Sequence, residues 1–207
     1  MRQAVRIISG WRIVPALAAV LFAAPSAALA GPLLRNASAL PPAAAAASRL
    51  ALRSPDFVPG GAIANGCVYD EFGCHGGNTS PTLFWDHPPA GTRSFAVLMF
   101  DPDARGGWWH WAVFDIPAAV ASLRAGAGDP ARHLLPPGAI QVRNDWGSVG
   151  YGGPCPPPGA PHHYQLMIYA LSVAKLGLDA SATPAQVAAR VQATMLAQAQ
   201  IVGLYGR

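Results

Sequence analysis

Residues 100–115 read Phe-Asp-Pro-Asp-Ala-Arg-Gly-Gly-Trp-Trp-His-Trp-Ala-Val-Phe-Asp, and their reading decides the fold. A run of strand formers, Ser94 to Phe100, precedes the stretch, and a second, Trp109 to Ile116, follows its polar crossing. Two such runs joined by a short crossing predict neighbouring antiparallel strands. Asp101 precedes Pro102, which biases it toward extended backbone, and Gly106-Gly107 let the chain reverse. Asp101 and Asp103 therefore stand at a strand end. Alternation along the second run puts Trp108, His110, Ala112 and Phe114 on one face. A histidine on an apolar face needs a partner, because an unpaired buried polar group is costly. Asp101 is the expected partner. The pair reads either as structural support for a core histidine or as part of a functional site.

A second stretch, residues 150–164, reads Gly-Tyr-Gly-Gly-Pro-Cys-Pro-Pro-Pro-Gly-Ala-Pro-His-His-Tyr. Gly150, Gly152 and Gly153 can present backbone N–H groups in a concave nest that holds an anion. The prolines after Cys155 stiffen the loop, and a strand resumes over Tyr164 to Ala170. His162, His163 and Tyr164 stand at the mouth of that strand. Taken alone, the stretch reads as a rigid proline-rich turn.

Outward from these two stretches the chain is mostly strand and turn. Leu50 and Leu52 alternate with polar neighbours, Thr82 to Trp85 is a short strand, and Gly138 to Asn144 is expected to be another. Residues 120–134 are irregular. With 22 glycines and 21 prolines, many turns are expected, which fits an all-β antiparallel sandwich. One helix is predicted near the end. Thr183 is its N-cap, Pro184 its first residue, and Val187, Val191 and Met195 recur at helical spacing. That stripe reads as packing against a sheet, and Ile201 to Tyr205 as a terminal strand.

Residues 1–30 carry the features of a secretory signal peptide: Arg2, Arg6 and Arg12, a short apolar core, and Ala28-Leu29-Ala30 before the expected cleavage site. The apolar run is shorter than the roughly 20 residues that span a bilayer. No other stretch is long and apolar enough, so no membrane span is expected after cleavage. Residues 31–48 read as a flexible Ala/Pro-rich linker, and residues 49–207 as one domain. The chain has 14 basic and 10 acidic residues. The signal holds three arginines and no acid, which leaves 11 basic against 10 acidic residues in the mature chain. With no basic run and no nucleic-acid motif, nucleic acid is excluded as a partner. A periplasmic or secreted location follows.

Together the motifs DPDA at 101–104, WWHW at 108–111, GYGGPCPPPG and PHHY through 164, NTSPTLFW at 78–85 and PPAGTRSFAV at 88–97 resemble the phosphatidylethanolamine-binding protein family. The resemblance runs from about Ser54 onward and is closest to the bacterial branch. It implies two antiparallel sheets with a peripheral C-terminal helix, and a small pocket for a phosphoryl or other anionic head group. Carried over residue by residue, that pocket is Asp101, His110, Gly152, Gly153, His162 and Tyr164, supported by Asp103, Trp109 and Tyr151. His110, His162, Tyr164 and the glycine backbone are the expected donors to the anion, and Asp101 either orients His110 or accepts from a protonated phosphoryl oxygen or an amine. In bacterial members the loops carrying Cys74 and Cys155 flank one pocket, which implies a Cys74–Cys155 disulfide. Cys67–Cys74 is the local alternative, leaving Cys155 free.

The implied function is binding without catalysis, with no cofactor and no metal, and with a homodimer as the implied assembly. The stretch Gly106 to Trp111 lacks the proline or serine of eukaryotic kinase-inhibitor members, which argues against that role. An inhibitor or interaction protein using the pocket rim is the alternative. A hydrolase built on Asp101, Asp103 and the histidines is disfavoured, because the chain holds no HExxH and no G-x-S-x-G motif.

Overall fold

The computed structural model describes residues 49–207. The signal-peptide and linker readings fall on residues 1–48 and lie outside the described residues. In chain order the elements are β1 (Ala51–Arg53), β2 (Leu83–Asp86), β3 (Ser94–Asp101), β4 (Trp108–Pro117), β5 (Ser122–Leu123), β6 (Ile140–Gln141), β7 (His162–Leu171), α1 (Pro184–Thr194) and β8 (Met195–Tyr205). They form two antiparallel sheets, β1-β2-β5 and β6-β4-β3-β7-β8.

β3 is apolar on both faces because both faces of its sheet are covered. Phe95, Val97 and Met99 face the small sheet, where they join Leu52, Leu83 and Trp85 in the main core. Ala96 and Leu98 face the other way and pack with Val187 and Val191 of α1. Full burial of side chains of this size contributes about 1.5–3 kcal/mol each. The helix begins where the sequence places it. The Thr183 hydroxyl accepts from Gln186 N–H, and the Gln186 side chain accepts from Thr183 N–H, a reciprocal cap. Met195 departs from expectation. It starts β8 instead of extending the helical stripe, because residues 195–205 pair along the whole of β7. The strand expected over 138–144 is confined to two residues, Ile140–Gln141, at the sheet edge.

The register of β3 against β4 also corrects the sequence reading. Met99 is opposite Trp111 and Phe100 is opposite Trp109, so His110 is an extra residue in a β-bulge. The bulge breaks the alternation. Ala112 and Phe114 lie on the helix side, while His110 turns toward the inter-sheet side and meets the Tyr164 ring edge-on at 5.2 Å.

Candidate functional site

The ends of β3 and β7 and the start of β4 open on one cleft of about 770 Å3. Asp101, Trp108, His110, His162 and Tyr164 line it, together with Arg105, Trp146 and the run from Cys155 to Pro161.

Asp101 is 3 % exposed. Its Oδ1 accepts from the N–H groups of Asp103 and Ala104 at 2.9 and 3.2 Å, an arrangement that turns the chain after Pro102. Its Oδ2 accepts from His162 Nδ1 at 2.7 Å. The expected Asp101–His110 pair is therefore replaced by Asp101–His162. β3 lies between β4 and β7, and the histidine on β7 takes the carboxylate. His110 instead donates from Nδ1 to the Gly152 carbonyl at 2.7 Å. Burial pushes His110 down to about pKa 4; the Gly152 carbonyl and Asp101 oppose that shift without offsetting it. His110 is a neutral imidazole at physiological pH.

The glycine turn is a scaffold and not a nest of free donors. Gly152 N–H donates to the His110 carbonyl, and Gly153 N–H to the Asn78 side chain. Gly150 and Tyr151 N–H are committed to Val142 and Gly128 carbonyls. The expectation that this backbone holds an anion is thus overturned by tertiary hydrogen bonding. Glycine is needed for close approach: a Cβ on Gly153 would lie 2.3 Å from the Cys67 carbonyl oxygen, and one on Gly152 2.3 Å from the Trp146 ring.

Two donors stand in the cleft without protein partners. Among the described residues, three buried side-chain polar atoms have none: Trp85 Nε1, Trp108 Nε1 and the Tyr164 hydroxyl. Two of the three line this cleft. Tyr164 is fully buried, and burial, with the Asp101 charge second, pushes its phenol well above the ordinary range, so it stays a donor. An orphaned buried donor costs about 1–3 kcal/mol. Both donors line the same cleft, and the protein supplies no acceptor to either.

Of the supporting residues, Asp103 accepts from both N–H and Nδ1 of His163. The His163 N–H holds the Asp103 carboxyl below its ordinary range. Tyr151 is buried beneath the cleft and donates its hydroxyl to the Cys67 carbonyl at 2.7 Å. Trp109 turns away from the cleft and packs on Phe100, with ring centroids 4.5 Å apart. Its neighbour Trp108 is the tryptophan that lines the cleft, and the sequence signal for it was its parity with His110. Trp146 carried no such signal. It is placed by its stack on Tyr69, at 4.4 Å, and by its indole N–H donating to the Gly153 carbonyl.

The rim is tied together covalently. Cys74 and Cys155 form a disulfide, and Cys67 is free and buried. Burial, with the Asp56 charge second, pushes the Cys67 thiol up to about 12, so it is not a nucleophile at neutral pH. Arg207 donates to the carbonyls of Phe72 and Pro156, one in each bridged loop. Among the described residues no cluster of three or more His, Cys, Asp or Glu side chains fits a metal ion. No helix there is long and apolar enough to cross a membrane.

A two-sheet sandwich with a cleft at the strand ends, bounded by an aspartate-to-histidine pair and a proline wall, defines a class of protein. The chain belongs to the phosphatidylethanolamine-binding protein family, whose profile matches residues 53–206. It is similar to the UPF0098 protein YbcL of Escherichia coli (strain K12), with 44 % identity over 164 residues covering 78 % of this chain and 90 % of the relative. A Mycobacterium tuberculosis protein named as lipoprotein LppC is 38 % identical over 164 residues, 78 % of this chain and 75 % of that one. The crystal structure of Escherichia coli YbcL aligns with a TM-score of 0.75 at 43 % identity, covering 77 % of this chain and 99 % of that one. A homologue from Chlamydia trachomatis, CT736, aligns with a TM-score of 0.65 at 29 % identity, over 77 % and 98 % of the two chains.

Proposed function

We propose that this is an exported binding protein that takes a phosphoryl-type anionic head group into the cleft and carries out no chemistry on it. The observation that carries this reading is the pair of orphaned donors, the Tyr164 hydroxyl and Trp108 Nε1–H, in the same cleft as His110 and His162. Oxygen-rich anions supply the acceptors these donors lack. Export is supported by the disulfide and by the lipoprotein name of the mycobacterial relative. No nucleophile–base pair faces the cleft, which favours binding over turnover.

The test is calorimetric titration of phosphoethanolamine into wild type and Tyr164→Phe. Saturable binding is expected in wild type, weakened by about 1.5–3 kcal/mol in the variant, the range for a hydrogen bond to a charged group. The unliganded variant is expected to melt no lower than wild type, because it removes a buried hydroxyl that has no partner. Absence of saturable binding to wild type at millimolar ligand would overturn the reading, as would equal affinities.

A further inference from the structure

Hydrogen-bond polarity inside the cleft sets which phosphoryl groups fit. The Gly152 carbonyl can only accept, so the proton of His110 is on Nδ1. The Asp101 carboxylate likewise holds a proton on Nδ1 of His162. A neutral imidazole with its proton on Nδ1 offers a lone pair at Nε2. The cleft therefore presents two fixed donors, at Tyr164 and Trp108, and two acceptors, Nε2 of the neutral His110 and Oδ2 of Asp101. On Asp101, Oδ1 takes two N–H groups and Oδ2 takes His162, which leaves one lone pair of Oδ2 open. The other charged or titratable groups nearby are Asp145, whose charge acts on His110, Arg105 on the rim, and the Asp103–His163 pair.

An anion made only of acceptor oxygens would satisfy Tyr164 and Trp108 but face lone pairs at His110 Nε2 and Asp101 Oδ2. We infer that the cleft selects a phosphoryl group that still carries a proton, that is, inorganic phosphate or a phosphomonoester monoanion, over sulfate and phosphodiesters. The P–O–H donates to His110 Nε2 or Asp101 Oδ2 while the remaining oxygens accept from Tyr164 and Trp108. This inference rests on the anion-binding reading above and specifies the ligand class of the same site. A phosphodiester, which includes the head-group linkage of an intact phospholipid, has no such proton.

Asp101 lines the cleft and acts in this scheme through its Oδ2. In Asp101→Asn the side-chain oxygen continues to accept from Asp103 and Ala104 N–H. In place of Oδ2 the side chain carries an amide nitrogen, which only donates. One acceptor in the cleft becomes a donor.

The experiment compares ligands of equal charge that differ by one proton. At pH 8.0, inorganic phosphate is titrated against sulfate; at pH 5.0, methyl phosphate against dimethyl phosphate. In wild type the proton-bearing member of each pair is expected to bind at least tenfold more tightly. In Asp101→Asn the phosphate-to-sulfate ratio is expected to fall below threefold, through a gain in sulfate affinity. Equal binding of phosphate and sulfate by wild type would overturn the inference and leave the anion site standing, as would an unchanged ratio in Asp101→Asn. Failure of every anion to bind wild type would overturn the site and the inference together.

Discussion

The double variant Cys74→Ala/Cys155→Ala is expected to lose about 4 kcal/mol of unfolding free energy, the largest single change foreseen for this protein. The crosslink joins residues 81 positions apart, so its removal restores much conformational freedom to the unfolded chain. The native rim retains other ties. Arg207 still bridges the Phe72 and Pro156 carbonyls, and Tyr69 still stacks on Trp146. Ligand affinity at low denaturant is therefore expected to change less than tenfold while the urea midpoint falls steeply. The urea dependence of unfolding should steepen as well, because an uncrosslinked chain exposes more surface. Urea titrations of oxidised wild type and the variant provide the measurement. A loss under about 1 kcal/mol would place the stabilisation in packing and not in chain entropy.

Acid is expected to destabilise the protein through His110. The ring titrates near 6.5 when unfolded and near 4 in the buried site, so the unfolded chain binds the proton more readily. Its contribution is fully present above pH 6.5 and is lost as the pH falls toward 4. The whole shift corresponds to about 3 kcal/mol. Stability at pH 4.5 should accordingly lie about 2–3 kcal/mol below its neutral value from this residue alone. His110→Asn keeps an amide donor for the Gly152 carbonyl and removes the titration. The difference between wild type and variant, followed by urea midpoints from pH 7.5 to 4.5, isolates the effect. Parallel curves for the two proteins would show that His110 is not the acid-sensitive group.

The hairpin and the helix were legible because local chemistry specifies them. Strand formers flank Asp101-Pro102, and Thr183, Pro184 and Gln186 spell out a cap that needs no tertiary contact. The face of His110 was not legible. Alternation assumes an unbroken pleat, and the single extra residue of a bulge has no mark in the sequence. The partner of Asp101 was hidden for a related reason. The sequence names β4 as its neighbour, but strand order within the sheet brings β7 equally near, and the two histidines compete for one carboxylate. The glycine turn misled because its composition suits an anion nest, whereas Asn78, Val142, Gly128 and the bulge itself claim its N–H groups from elsewhere in the chain. Cys74–Cys155 was carried by likeness to the family, since three cysteines allow a local pairing just as well.

The buried free thiol of Cys67 has a consequence for how the molecule reaches its native state. During synthesis and during refolding, Cys67 and Cys74 meet across a loop of a few residues. The native partner of Cys74 lies 81 positions away. Loop closure alone favours the short encounter by about 2 kcal/mol. A Cys67–Cys74 bridge is thus expected to compete with the native one under oxidising conditions, and it would keep Cys67 from the core position it occupies in the finished protein. Reaching the native state then requires attack by the Cys155 thiolate on Cys74, with Cys67 as the leaving group. Once folded, burial withholds the Cys67 thiolate from exchange, which protects the native bridge.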